Sequence, residues 1–153
     1  MKLLSVALTL LLTTLTSASP LMQNHTRTNP TVKRGESHTN VRFSPIAAYP
    51  LESIDTYGAC STYGQEERFH MRDPSSMMVA LDASVENFSS YCGKKIRLRN
   101  PDGRTCEATI VDQCPGCRAA GGPWSLDLLQ GPWDEVGSGD YHVNVFGAGW
   151  EVI

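Results

Sequence analysis

Residues 108–117, reading Ala-Thr-Ile-Val-Asp-Gln-Cys-Pro-Gly-Cys, constrain the fold more than any other stretch of the chain. The segment begins as an apolar, β-branched run, the signature of a buried strand. It places a single carboxylate, Asp112, at the end of that run and closes on a Cys-Pro-Gly-Cys turn that cannot continue a strand. Fifteen residues later a second acid stands in an apolar frame, Leu126-Asp127-Leu128. Two acids held at the ends of core strands beside a cysteine-stapled turn are the strongest functional signal, which makes Asp112 and Asp127 the candidate site residues.

Short strands separated by turn residues make up the rest. Val41-Arg42-Phe43 reads as a first strand, stopped by Ser44-Pro45. Residues 77–81 form a buried strand, after which Asp82 fits the N-cap of a short helix over 83–88. In the strand 95–99, alternation sends Lys95, Arg97 and Arg99 to a solvated face and Ile96 and Leu98 to the core. Asn100-Pro101-Asp102-Gly103 is a hairpin turn into the return strand 105–111. A Gly-rich loop over 118–123 leads to a strand at 124–129 and a short helix at 131–136, with Pro132 near its start. Residues 141–146 alternate cleanly as a strand, and Gly147-Ala148-Gly149 separates it from a last strand at 150–153. The pattern is all-β, with a compact barrel as its closed form.

The start of the chain has a different character. Met1-Lys2, the apolar run 3–15 and the small residues Thr16-Ser17-Ala18-Ser19 read as a secretory signal peptide over residues 1–19. Residues 20–40 are polar and aperiodic and read as a disordered tail or pro-segment, with Lys33-Arg34 as a possible dibasic processing site. The folded domain is then expected over residues 41–153. No later segment is apolar enough to span a bilayer, so a soluble, extracellular product is expected.

The formal net charge is −3. Residues 1–34 carry four basic side chains and no acid, so residues 35–153 keep nine basic against sixteen acidic groups, a formal −7. Such a domain is a poor partner for nucleic acid or an anionic membrane. Five cysteines (Cys60, Cys92, Cys106, Cys114, Cys117) in an exported domain imply disulfides, with one thiol left over or paired between chains. Zinc at Cys114-x-x-Cys117 would need two more ligands, and the sequence has no second such pair and no paired histidines, so neither metal nor cofactor is expected. Asn87-Phe88-Ser89 is an N-glycosylation sequon, as is Asn24-His25-Thr26 in the tail.

Gly58-Ala59-Cys60, Val79-Ala80-Leu81, Cys92-Gly93-Lys94, residues 111–117 and Leu126-Asp127-Leu128 occur in the order and spacing of a known family. The chain resembles the RlpA-like double-psi β-barrels, in their secreted fungal, barwin-like and expansin-like branch. The resemblance spans residues 41–153 and implies a six-stranded, disulfide-stabilised double-psi β-barrel with short helices and a groove across one face. It implies pairing of Cys60 with Cys92; Cys114 then pairs with Cys117 across the turn, or one of the two takes Cys106, and the expectation is Cys114–Cys117 with Cys106 buried and free. It also implies that Asp127, with Asp112, lines the groove. The chain departs from the family where relatives often continue Asp-Leu-Ser-Pro-Gly-Ala-Phe and this chain has Asp127-Leu128-Leu129-Gln130-Gly131-Pro132-Trp133.

Three classes of function follow. In the first, a monomeric, non-catalytic protein binds cell-wall polysaccharide, with Tyr57, Tyr63 and Trp124 offering flat faces to sugar rings and Asp112 and Asp127 accepting hydrogen bonds from hydroxyls. In the second, a secreted or host protein is the partner, as for an effector or a protease inhibitor, through exposed loops such as 65–76 and 119–124. The third is glycan cleavage in the manner of family 45 endoglucanases or lytic transglycosylases, with Asp127 and Asp112 as candidate catalytic acids. Inverting hydrolysis needs an acid and a base on either side of a water, and the first strand, Val41-Arg42-Phe43-Ser44, supplies no carboxylate for the second role.

Overall fold

A computed structural model describes residues 32–46, 57–63 and 71–153 of the chain. Six strands close into one barrel: β1 (Ser37–Pro45), β2 (Met78–Asp82), β3 (Lys95–Arg99), β4 (Thr105–Cys114), β5 (Leu126–Leu128) and β6 (Val145–Val152). Their order around the barrel is β1-β5-β2-β4-β3-β6. Two pairs are parallel, β1 with β5 and β2 with β4, and the other four are antiparallel. Two short helices, α1 (Cys117–Gly121) and α2 (Gln130–Val136), and two single 3-10 turns at Ala59–Tyr63 and Phe88–Ser90 complete the described structure.

Alternation within the strands builds the interior. Val41 and Phe43 of β1, Val79 and Leu81 of β2, Ile96 and Leu98 of β3, Ile110 of β4, Leu126 and Leu128 of β5 and Trp150 of β6 share one core. Each such Val, Leu or Ile stabilises the fold by about 1.5–3 kcal/mol through burial. Trp133 of α2 lies against the same core. On the outer face of β3, Arg97 pairs with Glu107 and Glu151, so the basic run is a solvated, charge-matched sheet face. The hairpin at Asn100–Gly103 closes as read from its turn residues, with Gly103 at φ 87° and its N–H donating to the Asn100 carbonyl.

Several local expectations are corrected. β1 begins at Ser37, so residues 37–40 are a paired strand and not part of a disordered tail. What orders them is an irregular ladder to β6: a register shift falls between Thr39 and Val41, where Asn40 takes a left-handed conformation at φ 57°. No helix forms over 83–88. Asp82 instead closes a tight turn, accepting from the Ser84 N–H and hydroxyl at 2.9 Å each. The strands read at 141–146 and 150–153 are one strand from Val145, because Ala148 between the two glycines is buried in the core and carries the ladder through. The Gly-rich loop contains the single turn α1, and Trp124 lies outside β5. Residues 1–31 lie outside the described residues, as does the first half of the loop 65–76.

Candidate functional site

The barrel topology sets the site. Cα register places Ser44 of β1 beside Asp127 of β5, Asp127 beside Ala80 of β2, and Ala80 beside Asp112 of β4. These four residues form one row across the outer surface, since cross-strand partners point to the same face. Neighbouring strands are about 4.8 Å apart, which puts the two acids roughly 10 Å apart at their Cα atoms. The β4 bulge, where Val79 faces Ile110 and Ala80 faces Asp112, brings the second acid into the row.

Asp127 stands in the wall of an open groove of about 410 Å³, lined also by Arg42, Ser44, Pro45, Cys114, Tyr141, His142 and Asn144. The Ser44 hydroxyl donates to its Oδ1. Sγ of Cys114 lies 2.9 Å from Oδ2, but as half of a disulfide it has no proton to donate, so this is a contact only. Burial pushes the Asp127 carboxyl above the usual carboxylate range. The Ser44 bond and the Arg42 guanidinium pull the other way, and the charge of Asp112 adds to the rise.

Asp112 has a different job. Its Oδ1 accepts the Ala59 N–H at 2.6 Å and so holds the 3-10 turn Ala59–Tyr63 against β4. Gly58 makes this approach feasible, since a Cβ there would lie 2.3 Å from the Val111 carbonyl and 2.8 Å from the Asp112 Cβ. Asp112 is not among the groove-lining residues. Across the sheet the buried Ala80 stands between it and Asp127.

The remaining predicted residues are distributed differently. Cys60 is joined to Cys92 and Cys114 to Cys117, while Cys106 is a free thiol, half-buried and not fully enclosed. Burial and the nearby Glu135 charge push that thiol up to about 11. Cys114, Cys117 and Asp127 place their ligand-type atoms within 4.8 Å of one another. Because both sulfurs are oxidised, no thiolate is available to a metal there. Tyr57 is exposed and precedes the turn that Asp112 anchors. The backbone of Tyr63 ends that turn. Trp124 is not in the groove: it stacks on His38 at 3.9 Å, and its carbonyl accepts the Trp150 indole N–H. Asn87 is exposed at φ 57°, at a turn a glycan could occupy.

Sequence reasoning missed Arg42. Its side chain is only 8 % exposed, yet it lines the groove, with Nη2 3.7 Å from Oδ1 of Asp127. The signal was present in the alternation of Val41-Arg42-Phe43-Ser44, which puts Arg42 on the same face as Ser44.

No protein-family model matches this sequence. No curated protein matches it either. Solved structures do. The chain is similar to the Streptomyces papain inhibitor (TM-score 0.53, 21 % identity, covering 80 % of this chain and 98 % of that one). It is similar to a variant expansin of Clavibacter michiganensis in complex with cellohexaose (TM-score 0.53, 21 % identity, 77 % of this chain and 50 % of that one). The fungal elicitor cerato-platanin aligns at TM-score 0.50 and 15 % identity, over 74 % of this chain and 92 % of that one. At these identities the likeness is one of fold, and that fold is double-psi-barrel-like.

Proposed function

We propose that this protein is a secreted, non-catalytic binder of cell-wall polysaccharide that uses the groove around Asp127, on an RlpA-like, double-psi barrel domain. One observation carries the reading. Among the described residues lining it, the groove holds a single carboxylate, Asp127, and one of its oxygens takes the Ser44 hydroxyl while the other packs on the disulfide. Cleavage by inversion needs two carboxyl groups about 6.5–9.5 Å apart with a water between them. Here the strand carrying Ala80 runs between the two acids, and Asp112 is engaged by a backbone N–H and is not among the groove-lining residues. Such a groove can accept hydrogen bonds from sugar hydroxyls without the water-activating geometry. The expansin fold seen with cellohexaose lends weight to a glycan ligand, although fold likeness alone does not establish one.

A second reading, a protein-binding effector or protease inhibitor, is favoured by a different observation. Val143 and Phe146 are 50 % and 61 % exposed, on the segment that also supplies His142 and Asn144 to the groove rim. The deciding experiment incubates the oxidised protein with cellulose, chitin, β-glucan and peptidoglycan, and measures bound protein and released sugar together. Binding without release, weakened by Asp127→Asn, is the expected result. Sugar release abolished by that substitution would replace the proposal with catalysis. Neither binding nor release would favour the protein-partner reading.

A further inference from the structure

Arg42 is a largely buried cation with one nitrogen left unpaired among the described residues. Its Nε has no hydrogen-bond partner, and among the described residues the guanidinium makes one ion pair, to Asp127, at 3.7 Å. That separation is beyond hydrogen-bond reach. The sequence around it is shaped to admit the guanidinium: a Cβ at Gly121 would lie 2.3 Å from the Arg42 Cβ and 2.9 Å from Nε. Nη1 and Nη2 are not among the buried unpaired atoms and so open to the groove, where a ligand oxygen can meet them while the buried Nε stays unpaired at a cost.

The pair itself selects the chemistry of that ligand. An oxygen about 2.8–3.0 Å from both Nη2 and Oδ1 closes a triangle over a gap of this size. A hydroxyl suits both sides, because its lone pair accepts from Arg42 while its proton goes to Asp127. A carboxylate in the same place could accept from Arg42 but would be repelled by Asp127, and the −7 charge of residues 35–153 adds to that repulsion. An ammonium would satisfy Asp127 and be repelled by Arg42. We infer that Arg42 is a ligand-contacting residue of the groove, and that Arg42 and Asp127 together grip one hydroxyl of a neutral glycan. This rests on the glycan-binding reading and narrows it to uncharged sugars.

The test is calorimetric titration of the oxidised protein with cellohexaose, an oligogalacturonate and a glucosamine oligomer of equal length. Arg42→Gln and Asp127→Asn should each weaken cellohexaose binding about tenfold or more, as expected for a charge-assisted hydrogen bond. The double variant should be no weaker than the worse single one, because both residues hold the same hydroxyl. Arg42→Lys should recover part of the loss. Since Arg42 is buried, the unmodified protein gives an independent readout: the Arg42 Nε–Hε resonance should shift as cellohexaose is added. Wild-type affinity in Arg42→Gln, with Asp127→Asn still impaired, would overturn the role of Arg42 and leave the groove reading standing. An unmoved Nε–Hε signal at saturation would do the same. Tighter binding of oligogalacturonate or of the glucosamine oligomer would overturn the neutral-sugar assignment. Binding to none of the three oligomers and to none of the four polysaccharides above would overturn both this inference and the glycan-binding reading beneath it.

Discussion

At the scale of single residues, the two acids differ because their surroundings differ. Asp112 receives the backbone N–H of Ala59 at 2.6 Å, which commits one of its oxygens to holding a turn. Asp127 is desolvated, and burial is the largest influence on its carboxyl, raising it. A carboxyl whose folded pKa lies above its unfolded value binds its proton more readily in the folded state. Its stabilising effect is therefore complete below the ordinary carboxylate range and is lost as pH rises through the raised folded value. Asp127→Asn cannot titrate, so the stability of the variant relative to wild type should increase from acid to neutral pH. Urea midpoints of the two proteins across that range check this, and a difference that does not change with pH would refute the assignment. Both acids were legible as candidates, each standing at a strand position in an apolar frame. Which of them faces the groove was not, because that depends on the β4 bulge and on the turn at Ala59–Tyr63, neither of which leaves a periodic trace.

At the scale of elements, the disulfides act on different segments and should contribute unequally. Cys60–Cys92 ties the turn beside Asp112 to the segment entering β3 across a sequence separation of 32. In the chain-entropy account a bridge of that span stabilises by about 3–4 kcal/mol, and one as short as Cys114–Cys117, with a separation of 3, by about 2 kcal/mol. Replacing each pair by alanine and measuring denaturant midpoints should rank the losses in that order, and the reverse order would show that local strain relief or packing dominates. The shorter bridge has a second role, since Cys114 is part of the groove wall. Most element assignments were readable from alternation and turn chemistry: β3, the hairpin, β4 and α2 fall where Ile96/Leu98, Asn100–Gly103, the run ending at Asp112 and Pro132 put them. The failures share one cause, namely tertiary contacts overriding local signals. Asp82 looked like a helix cap but closes a turn on Ser84, and the two glycines beside Ala148 looked like a break but lie within a strand held by burial.

For the whole molecule, the question is where the cooperative unit begins. Composition marked residues 20–40 as a tail, yet the barrel closes through part of it. Ser37, His38 and Thr39 pair with Glu151, Trp150 and Gly149, and Glu36 accepts the Tyr91 hydroxyl at 2.6 Å. His38 stacks on Trp124 and lies 4.4 Å from the Trp150 ring, so these residues cover a buried indole. A polar segment of this kind is ordered by the surface it meets, which composition cannot register. If the chain is cut after Arg34, as we propose for the dibasic pair, Gly35 still donates to the Val152 carbonyl and Val152 to that of Glu36. Among the described residues the cut removes the burial of Val32, about 1–2 kcal/mol, and the Glu36 N–H bond to the Lys33 carbonyl. A chain beginning at Val41 would instead leave the β6 edge half-unpaired and uncover Trp150. That loss is a large part of the 5–15 kcal/mol that holds a domain of this size. Thermal melts followed by tryptophan emission should give a cooperative, slightly lowered transition for the protein starting at Gly35. The protein starting at Val41 should show red-shifted emission at the outset and little or no transition. An unchanged transition for the shorter protein would place the true boundary at residue 41 and make the β1–β6 ladder before Val41 dispensable to the fold.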